Sequence, residues 1–476
     1  MNELITYQRN LFAFYDEFFK RATGKSAKDF APLDKFAETV PTLRSRTKTL
    51  KSAFEWAEPE LNKIYRHMTI KAFGDAAALG GIKVVQGGGA HFRRTQLSAA
   101  RRMVLYTDTV LIPDPVFALT ETKRTEERFL SIRILEEIFF LLRLKPLVDA
   151  DLGVPPVVVF PSFDSLLSTQ EPITKEKLTG FVGGTLGILL DLPLTSIEDS
   201  VAFATNYPEQ FLHAVASTQL LVAPGGPFGE PLDDALQRYI REVGAWRTKE
   251  HMSIIRSLSK SQQVCNALLE RFEPQFHLID NSIAMRAQPL LSVDQQAFYF
   301  KLSAKASADL LERESRISAA TRSSIDALAS TQFEWLSNAT ISALVEMRLN
   351  NENVHFRNRL SDSTAILRDT DFEDIDRVAA EVATGIGGLL NDYRSAARKL
   401  EEKYRRKYAG LAGAGWLSVG AFLIPHLVPL IASVPGLTLA GKYAIEKMEE
   451  RKEKRELAGS LVGILASARD APIQEE

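Results

Sequence analysis

The sequence RMVLYTDTVLIP at residues 102–113 decides the predicted fold of this chain. The run is rich in β-branched residues and ends in proline, so it is predicted to form a buried strand. Similar runs lie on either side of it, IKVVQ at 82–86 and VPPVVVFP at 154–161. Apolar residues at helical spacing predict a long helix over 122–144, between the second and third runs. A strand, a helix and a strand in this order are typical of a crossover unit with parallel strands.

Most of the remaining chain has the apolar spacing of helices, so the fold class is predicted to be mainly α with a small α/β layer. The first helix is expected to bury an apolar, partly aromatic side and to end at Gly24. The residues of that side are Leu4, Tyr7, Leu11, Phe14 and Phe18.

Two further helices are predicted at 174–190 and at 196–219. The second is expected to be broken at Pro208, because proline lacks a backbone donor and clashes with the preceding turn. The glycines of GFVGGTLG at 180–187 indicate that the first of these helices packs closely against a neighbour.

Other prolines are expected to divide helices as well. Pro59 is predicted near the start of a helix. Pro274 and Pro289 are predicted to separate helices within the region 232–349, where no strand is expected.

The segment PGGPFGEP at 224–231 is the clearest linker signal in the chain. A chain of 476 residues also exceeds what one hydrophobic core usually supports, so several domains are expected. The predicted parts are an N-terminal helical segment at 1–78, a small α/β domain at 79–223 and a multi-helix C-terminal domain at 232–476.

Composition excludes several classes of protein. The formal net charge of −2 argues against a protein that coats nucleic acid. Cys265 is the only cysteine, which excludes an internal disulfide and a thiolate zinc cluster and fits a reducing cytoplasm. Charged residues near the N-terminus interrupt any signal-peptide core, so a cytoplasmic location is expected. The sequence assigns no catalytic group, metal site or cofactor.

Residues 408–441 read YAGLAGAGWLSVGAFLIPHLVPLIASVPGLTLAG and carry no formal charge when His426 is neutral. We call this segment the apolar island. Seven Lys or Arg residues lie in 394–407 and six more in 442–455. A helix that begins at a capping box, Thr370 to Glu373, is expected to lead into the island.

The apolar island is too long for one straight membrane span and short for two. Pro425 and Pro429 favour a turn in its middle, so an apolar helical hairpin with a first arm at 408–424 is predicted. Basic flanks on both sides fit a hairpin inserted from the cytoplasmic face of a membrane, or peripheral to it. A hairpin in the core of a soluble bundle is equally compatible with the sequence. The residues expected to meet lipid or core are Leu411, Trp416, Leu417, Phe422, Leu423, Ile424, Leu427, Val428, Leu430 and Ile431.

A glycine-rich loop with cations beside it, GGGAHFRR at 87–94, follows the first predicted strand. Backbone N–H groups of such a loop can bind a phosphate. The loop lacks the Gly-Lys-Ser/Thr ending of a P-loop and the dinucleotide spacing, so the alternative is a plain connection between strand and helix. The candidate ligand-binding residues in it are Gly87, Gly88, Gly89, His91, Arg93 and Arg94.

Two aspartates, Asp108 and Asp114, flank the apolar end of the strand predicted at 102–113. Two carboxylates close to a phosphate-binding loop could hold a magnesium ion. The alternative is that Asp114, which lies between two prolines, accepts local backbone hydrogen bonds in a turn that ends the strand.

Three hypotheses of function follow from these patterns. The first is a non-enzymatic protein that associates with a lipid membrane, an effector that exposes the apolar island conditionally. The second is an enzyme or binding module for phosphate or nucleotide that uses the glycine-rich loop. The third is a soluble scaffold that forms homo-oligomers or binds a protein partner through its long helices.

Overall fold

A computed structural model gives the architecture of most of the chain. The described residues are 2–30, 36, 38–39, 43, 47–87, 94–116, 127–160, 171–244, 247, 249–313, 315, 317–323, 332–336, 339–368, 377–378, 381–382, 384–385, 388–389, 392, 396, 399–400, 402–404, 407–408 and 414–418. Within them the protein is mainly helical with one small parallel sheet, as the sequence predicts.

Fourteen α-helices are labelled here in chain order. They are α1 (Asn2–Thr23), α2 (Thr47–Ala78), α3 (Arg94–Met103), α4 (Glu127–Leu142), α5 (Lys145–Asp149), α6 (Glu171–Leu190), α7 (Ile197–Asn206), α8 (Pro208–Thr218), α9 (Leu232–Gly244), α10 (Lys249–Ser257), α11 (Lys260–Ala284), α12 (Asp294–Arg313), α13 (Ile341–Leu349) and α14 (Val354–Arg368).

The strands form a four-stranded sheet and a separate two-stranded sheet. They are β1 (Lys83–Gln86), β2 (Thr109–Pro113), β3 (Val157–Phe160), β4 (Gln288–Leu290), β5 (Gln332–Leu336) and β6 (Ala414–Ser418). The larger sheet has the order β3-β2-β1-β4, and all of its neighbouring strands are parallel. β1 and β3 are buried at every position, which is typical of a parallel sheet covered on both faces.

The strand predicted at 102–113 is shorter than expected. α3 runs to Met103, and only Thr109–Pro113 is strand, so the prediction is wrong for residues 102–108. The segment between them is a turn whose carbonyl groups accept hydrogen bonds from two distant arginines, Arg348 and Arg357. These hydrogen bonds to arginine replace the strand-to-strand hydrogen bonds that a β-strand would make. Local β propensity does not predict such distant partners.

The expectation of no strand in 232–349 is also wrong, because β4 and β5 lie there. β4 contains Pro289, which was expected to separate helices; proline is tolerated in it because β4 is the edge strand beside β1.

Pro59 and Pro274 lie inside α2 and α11 rather than at helix ends.

The apolar island contributes β6, which pairs antiparallel with β5 from Gln332↔Ser418 to Leu336↔Ala414. The helix predicted over 408–424 is therefore wrong for residues 414–418, which include Trp416 and Leu417. The hairpin itself lies outside the described residues, as do Leu411, Phe422, Leu423, Ile424, Leu427, Val428, Leu430 and Ile431. Among the described residues, no helix is both long enough and apolar enough to cross a bilayer.

The N-terminal helix α1 forms much of the core. All five residues predicted for its apolar side are buried, and Gly24 ends the helix at a φ of 75° with its N–H bonded to the Lys20 carbonyl. Both predictions are confirmed. α1 also covers the edge strand β3: the Gln8 amide donates to the Val159 carbonyl at 2.6 Å and accepts from the Val159 N–H at 2.8 Å. A side chain thus satisfies the outer backbone groups of a sheet edge.

Glycines let α6 pack closely, as predicted for 180–187. A Cβ on Gly183 would lie 2.3 Å from backbone atoms of Ser196, and one on Gly187 would lie 2.3 Å from the Leu194 carbonyl oxygen. The turn after α6 therefore folds directly onto the helix. Ser196 then caps α7, and α8 begins at Pro208, so the predicted break there is confirmed.

Residues on either side of the predicted linker at 224–231 pack together. The Tyr299 hydroxyl accepts from the Val222 N–H at 2.8 Å and donates to the Leu220 carbonyl at 3.0 Å. The Gln295 amide donates to the Ala223 carbonyl at 2.9 Å. The division into domains at this linker stays a prediction.

Two buried arginines, one on α13 and one on α14, connect these helices to the turn before β2. Arg348 donates to the carbonyls of Val104, Thr107 and Asp108 at 2.7–3.1 Å. Arg357 donates from Nε to the Asp108 carboxylate at 3.0 Å. Burial, and then the charge of Arg357, lower the pKa of Arg348 to about 10. We call Arg348, Arg357 and Asp108 the amino-edge clamp.

Removal of the Arg348 guanidinium is expected to destabilise the whole fold. Arg348→Met keeps the apolar stem but leaves buried carbonyls without donors, which costs roughly 2–4 kcal/mol. Denaturant unfolding measures the loss as a lower midpoint at unchanged slope. Arg377→Met is the control: this side chain is 66% exposed in its ion pair with Glu381, so a change of about 0.5 kcal/mol or less is expected. Equal stability of the two variants would contradict the role of the clamp.

Candidate functional site

The carboxyl ends of four parallel strands meet at one edge of the larger sheet. From β1 the chain passes through α3 to β2 and then through α4 to β3, always toward the same side. β4 lies on the opposite side of β1. The strand order therefore changes direction at β1, and the crevice outside the carboxyl ends of β1 and β4 is a topological switch point. Ligands of open α/β sheets bind at such points.

The glycine-rich loop starts at this crevice. Gly87 directly follows the last residue of β1, and Arg94 is the first residue of α3. The loop thus joins the carboxyl end of a central strand to a helix N-terminus, where backbone N–H groups favour an anion. Gly88, Gly89, His91 and Arg93 lie outside the described residues, and the Arg94 side chain is not described.

Gln296 on α12 lies at the side of the crevice next to β4. Its Oε1 accepts hydrogen bonds from the Ser292 N–H at 2.9 Å and the Ser292 hydroxyl at 3.2 Å. Its Nε2 lies over Gly87, only 2.8 Å from the position that a Cβ there would take. A polar amide therefore lies against the first glycine of the loop.

Gln86, the last residue of β1, is buried with 2% of its surface exposed. Neither its Oε1 nor its Nε2 has a hydrogen-bond partner within the described part of the chain. A buried amide without partners costs free energy, so such a group in a native fold calls for a bound water or ligand. Sequence reasoning missed Gln86 and Gln296. The available signal concerned Gln86, which is a polar residue at the end of the apolar run IKVVQ.

Asp114 follows β2 at the same edge and is completely buried. Its Oδ2 accepts hydrogen bonds from the Tyr15 hydroxyl at 2.5 Å and from the Tyr65 hydroxyl, and its Oδ1 accepts from the Val116 N–H at 2.8 Å. The tyrosines come from α1 and α2, so this carboxylate joins both helices to the sheet. The predicted turn with local backbone bonding describes its role better than metal binding.

Two tyrosine hydroxyls near Asp114, those of Tyr15 and Tyr7, are held in the neutral form. Burial raises the pKa of Tyr15 well above its ordinary value, and the negative charge of Asp114 raises it further. Burial and then Asp114 also raise the pKa of Tyr7. Tyr15 is thus a neutral donor to Asp114, whereas the Tyr7 hydroxyl has no hydrogen-bond partner among the described residues.

Asp108 lies at the opposite edge of the sheet. Its carboxylate accepts from the Ile82 N–H at 2.8 Å and from Arg357, as part of the amino-edge clamp. β2 separates it from Asp114 by roughly 20 Å, at about 3.3 Å per residue. At this separation the two aspartates cannot share a magnesium ion, so the geometry disfavours that interpretation of the sequence. In the described ranges, no three His, Cys, Asp or Glu side chains are placed to hold a metal.

Comparison with known proteins does not identify the chain. No protein-family model matches it, and neither a curated protein nor a solved structure shows significant similarity to it.

Alkaline pH is expected to unfold the protein cooperatively because several tyrosines are buried. Burial raises the pKa of Tyr7, Tyr15, Tyr239 and Tyr299, to about 12 for Tyr299. Above pH 10 these phenols ionise in the unfolded chain but not in the folded one. Each then lowers the free energy of unfolding by about 1.4 kcal/mol per pH unit.

Tyrosinate absorbance and circular dichroism, followed together from pH 9 to 13, test this expectation. The buried tyrosines should titrate only as the helices unfold. Tyr15→Phe is the matched variant, with one phenol fewer and therefore a shallower loss of stability above pH 10. Complete titration of all tyrosines in a protein that stays helical would contradict it.

Proposed function

We propose that the protein binds a small phosphate-bearing molecule, such as a nucleotide, in the crevice between the carboxyl ends of β1 and β4. The observation that carries the proposal is topological. The strand order changes direction at β1, and a glycine-rich loop connects that strand to the N-terminus of α3. This combination favours binding of a phosphate at the helix N-terminus.

The side chains around the crevice have suitable chemistry for the rest of such a ligand. Gln296 places an amide group against Gly87, and the buried amide of Gln86 belongs to the last residue of β1; amides pair with the donors and acceptors of a base or a ribose. Arg93 and Arg94 add two cations to the loop sequence, which supports attraction of an anion. The proposal is one of binding rather than catalysis, because the Asp114 carboxylate is engaged by the fold.

Ligand binding is expected to raise the melting temperature of the full chain. ATP, ADP, NAD and inorganic phosphate are the probes, and a ligand at a hundred times its Kd stabilises the fold by about 2.7 kcal/mol. Arg93→Ala with Arg94→Ala should abolish this shift, whereas Arg241→Ala with Arg256→Ala, on α9 and α10, should retain it. Gln86→Leu should weaken binding while the free protein keeps or gains stability, since an unpaired buried amide is removed. No shift with any of the four probes would refute the proposal.

A second candidate function is membrane association through the apolar island. It is supported by the sequence, in which an uncharged segment of this length lies between two basic segments. The effector and scaffold hypotheses, with homo-oligomers or a protein partner, likewise stay predictions.

Flotation with anionic liposomes tests the membrane candidate. Val428→Arg places a charge in the middle of the island, where insertion into lipid would cost about 2.5–3.5 kcal/mol and reduce binding roughly a hundredfold. Ala202→Arg on the exposed side of α7 is the matched control and should float like the original protein. If the original protein does not float, or if Val428→Arg floats equally well, the island does not act in lipid.

A further inference from the structure

A cavity of about 480 Å³ lies between the start of α14 and a set of later residues, Leu389, Asp392, Ala396, Lys399, Leu400 and Lys403. It is far from the crevice between β1 and β4 in the chain and is formed by different elements. Its size is within the range of small-molecule sites in proteins, which are about 300–1,000 Å³. We propose that this cavity binds an amphiphile that carries one anionic head group on an alkyl chain.

The floor of the cavity is apolar. Phe356, Leu389 and Leu400 line it and are 3–5% exposed, and Val354 extends the apolar surface outward with 41% exposed. Such a surface favours a hydrocarbon chain over a polar ligand, because each methylene that leaves water for an apolar surface adds to the affinity. The apolar floor therefore accounts for the alkyl part of the ligand.

The rim of the cavity carries an excess of positive charge. Arg359 is paired with Asp392 at 3.2 Å, and Lys403 is paired with Glu352 at 2.5 Å. Lys399 also lines the cavity and takes part in no ion pair within the described residues. The rim therefore has one cation that is not neutralised locally, which complements a monoanionic head group.

A hydrogen-bond donor at the cavity is also unsatisfied. The Nδ2 of Asn353 has almost no exposed surface and no hydrogen-bond partner in the described structure. Asn353 precedes α14 with a φ of 59°, and the first N–H groups of a helix lack partners within it. The amide nitrogen itself is covered, but the N-terminus of α14 lines the cavity and favours an anion at this end.

Calorimetry with the full chain tests the proposal using decanoate, decyl phosphate, decanol and acetate. Decanoate and decyl phosphate are expected to bind. Decanol, which has the chain without the charge, should bind about tenfold more weakly, since a charge-assisted hydrogen bond contributes at least that factor. Acetate, which has the charge without the chain, should give no detectable heat.

Two pairs of variants separate the contributions of charge and chain. Lys399→Glu should weaken decanoate binding by about tenfold or more, while Lys305→Glu on the exposed side of α12 should leave it unchanged. Val354→Trp fills the mouth of the cavity and should abolish binding of both decanoate and decanol. Val201→Trp on α7, where the valine is about as exposed as Val354, should leave both affinities unchanged.

Three results would overturn the proposal. The first is no binding of decanoate and decyl phosphate by the original protein. The second is equal affinity for decanol and decanoate. The third is binding of anionic vesicles but not of decanoate, which would assign the interaction to a membrane surface instead. Nucleotide binding at β1 is independent of all three results.

Discussion

The architecture depends on hydrogen bonding between β1 and β4, two strands that are far apart in the chain. β1 is completely buried, so its backbone donors and acceptors need partners on both sides. β2 supplies one set soon after β1 in sequence, and β4 supplies the other from a position beyond α11. The helices between them must therefore place Gln288–Leu290 beside Val84–Gln86, and α11 and α12 pack against α6 as a result. This constraint also creates the switch point, because β4 pairs with β1 on the side opposite β2.

The two edges of the larger sheet have different chemistry. At the amino edge, ionised groups are matched: Lys83 donates to the Ala77 carbonyl at the end of α2, and the amino-edge clamp pairs Asp108 with Arg357. At the carboxyl edge, Asp114 is satisfied by tyrosines, whereas the Gln86 amide is unsatisfied within the described structure. A buried charge that is paired avoids the cost of an unpaired one, whereas a buried amide without partners retains its desolvation cost. This contrast is the reason to place a ligand at the carboxyl edge.

The sequence predicted those elements whose signals are local. β1 and β3 are apolar runs bounded by glycine or proline, and the break before α8 coincides with Pro208. The errors involve partners that are distant in sequence. Residues 104–108 form a turn because Arg348 and Arg357 bind their carbonyls, and three residues containing a proline become β4 because β1 pairs with them. Gln86 was missed for a related reason, since only the packed structure shows that its amide has no partner among the described residues.

The start of the apolar island is held by the helices that precede it, and this limits how the island can act. Lys403 and the Tyr404 hydroxyl contact the Glu352 carboxylate, and Lys407 and the Tyr408 hydroxyl contact the Glu346 carboxylate. Exposed ion pairs of this kind contribute little individually, whereas Tyr404 is 2% exposed and adds apolar burial.

Hydrogen bonds from Lys407 and Tyr408 lower the pKa of Glu346, so this contact is fully formed at neutral pH and weakens as the pH falls through the carboxyl range. Because Tyr408 is the first residue of the island, any movement of the island into lipid must begin beyond this anchor or break it. Acidification and high salt both weaken the contacts of Lys407 and Tyr408 with Glu346, so release of the start of the island is easiest under these conditions.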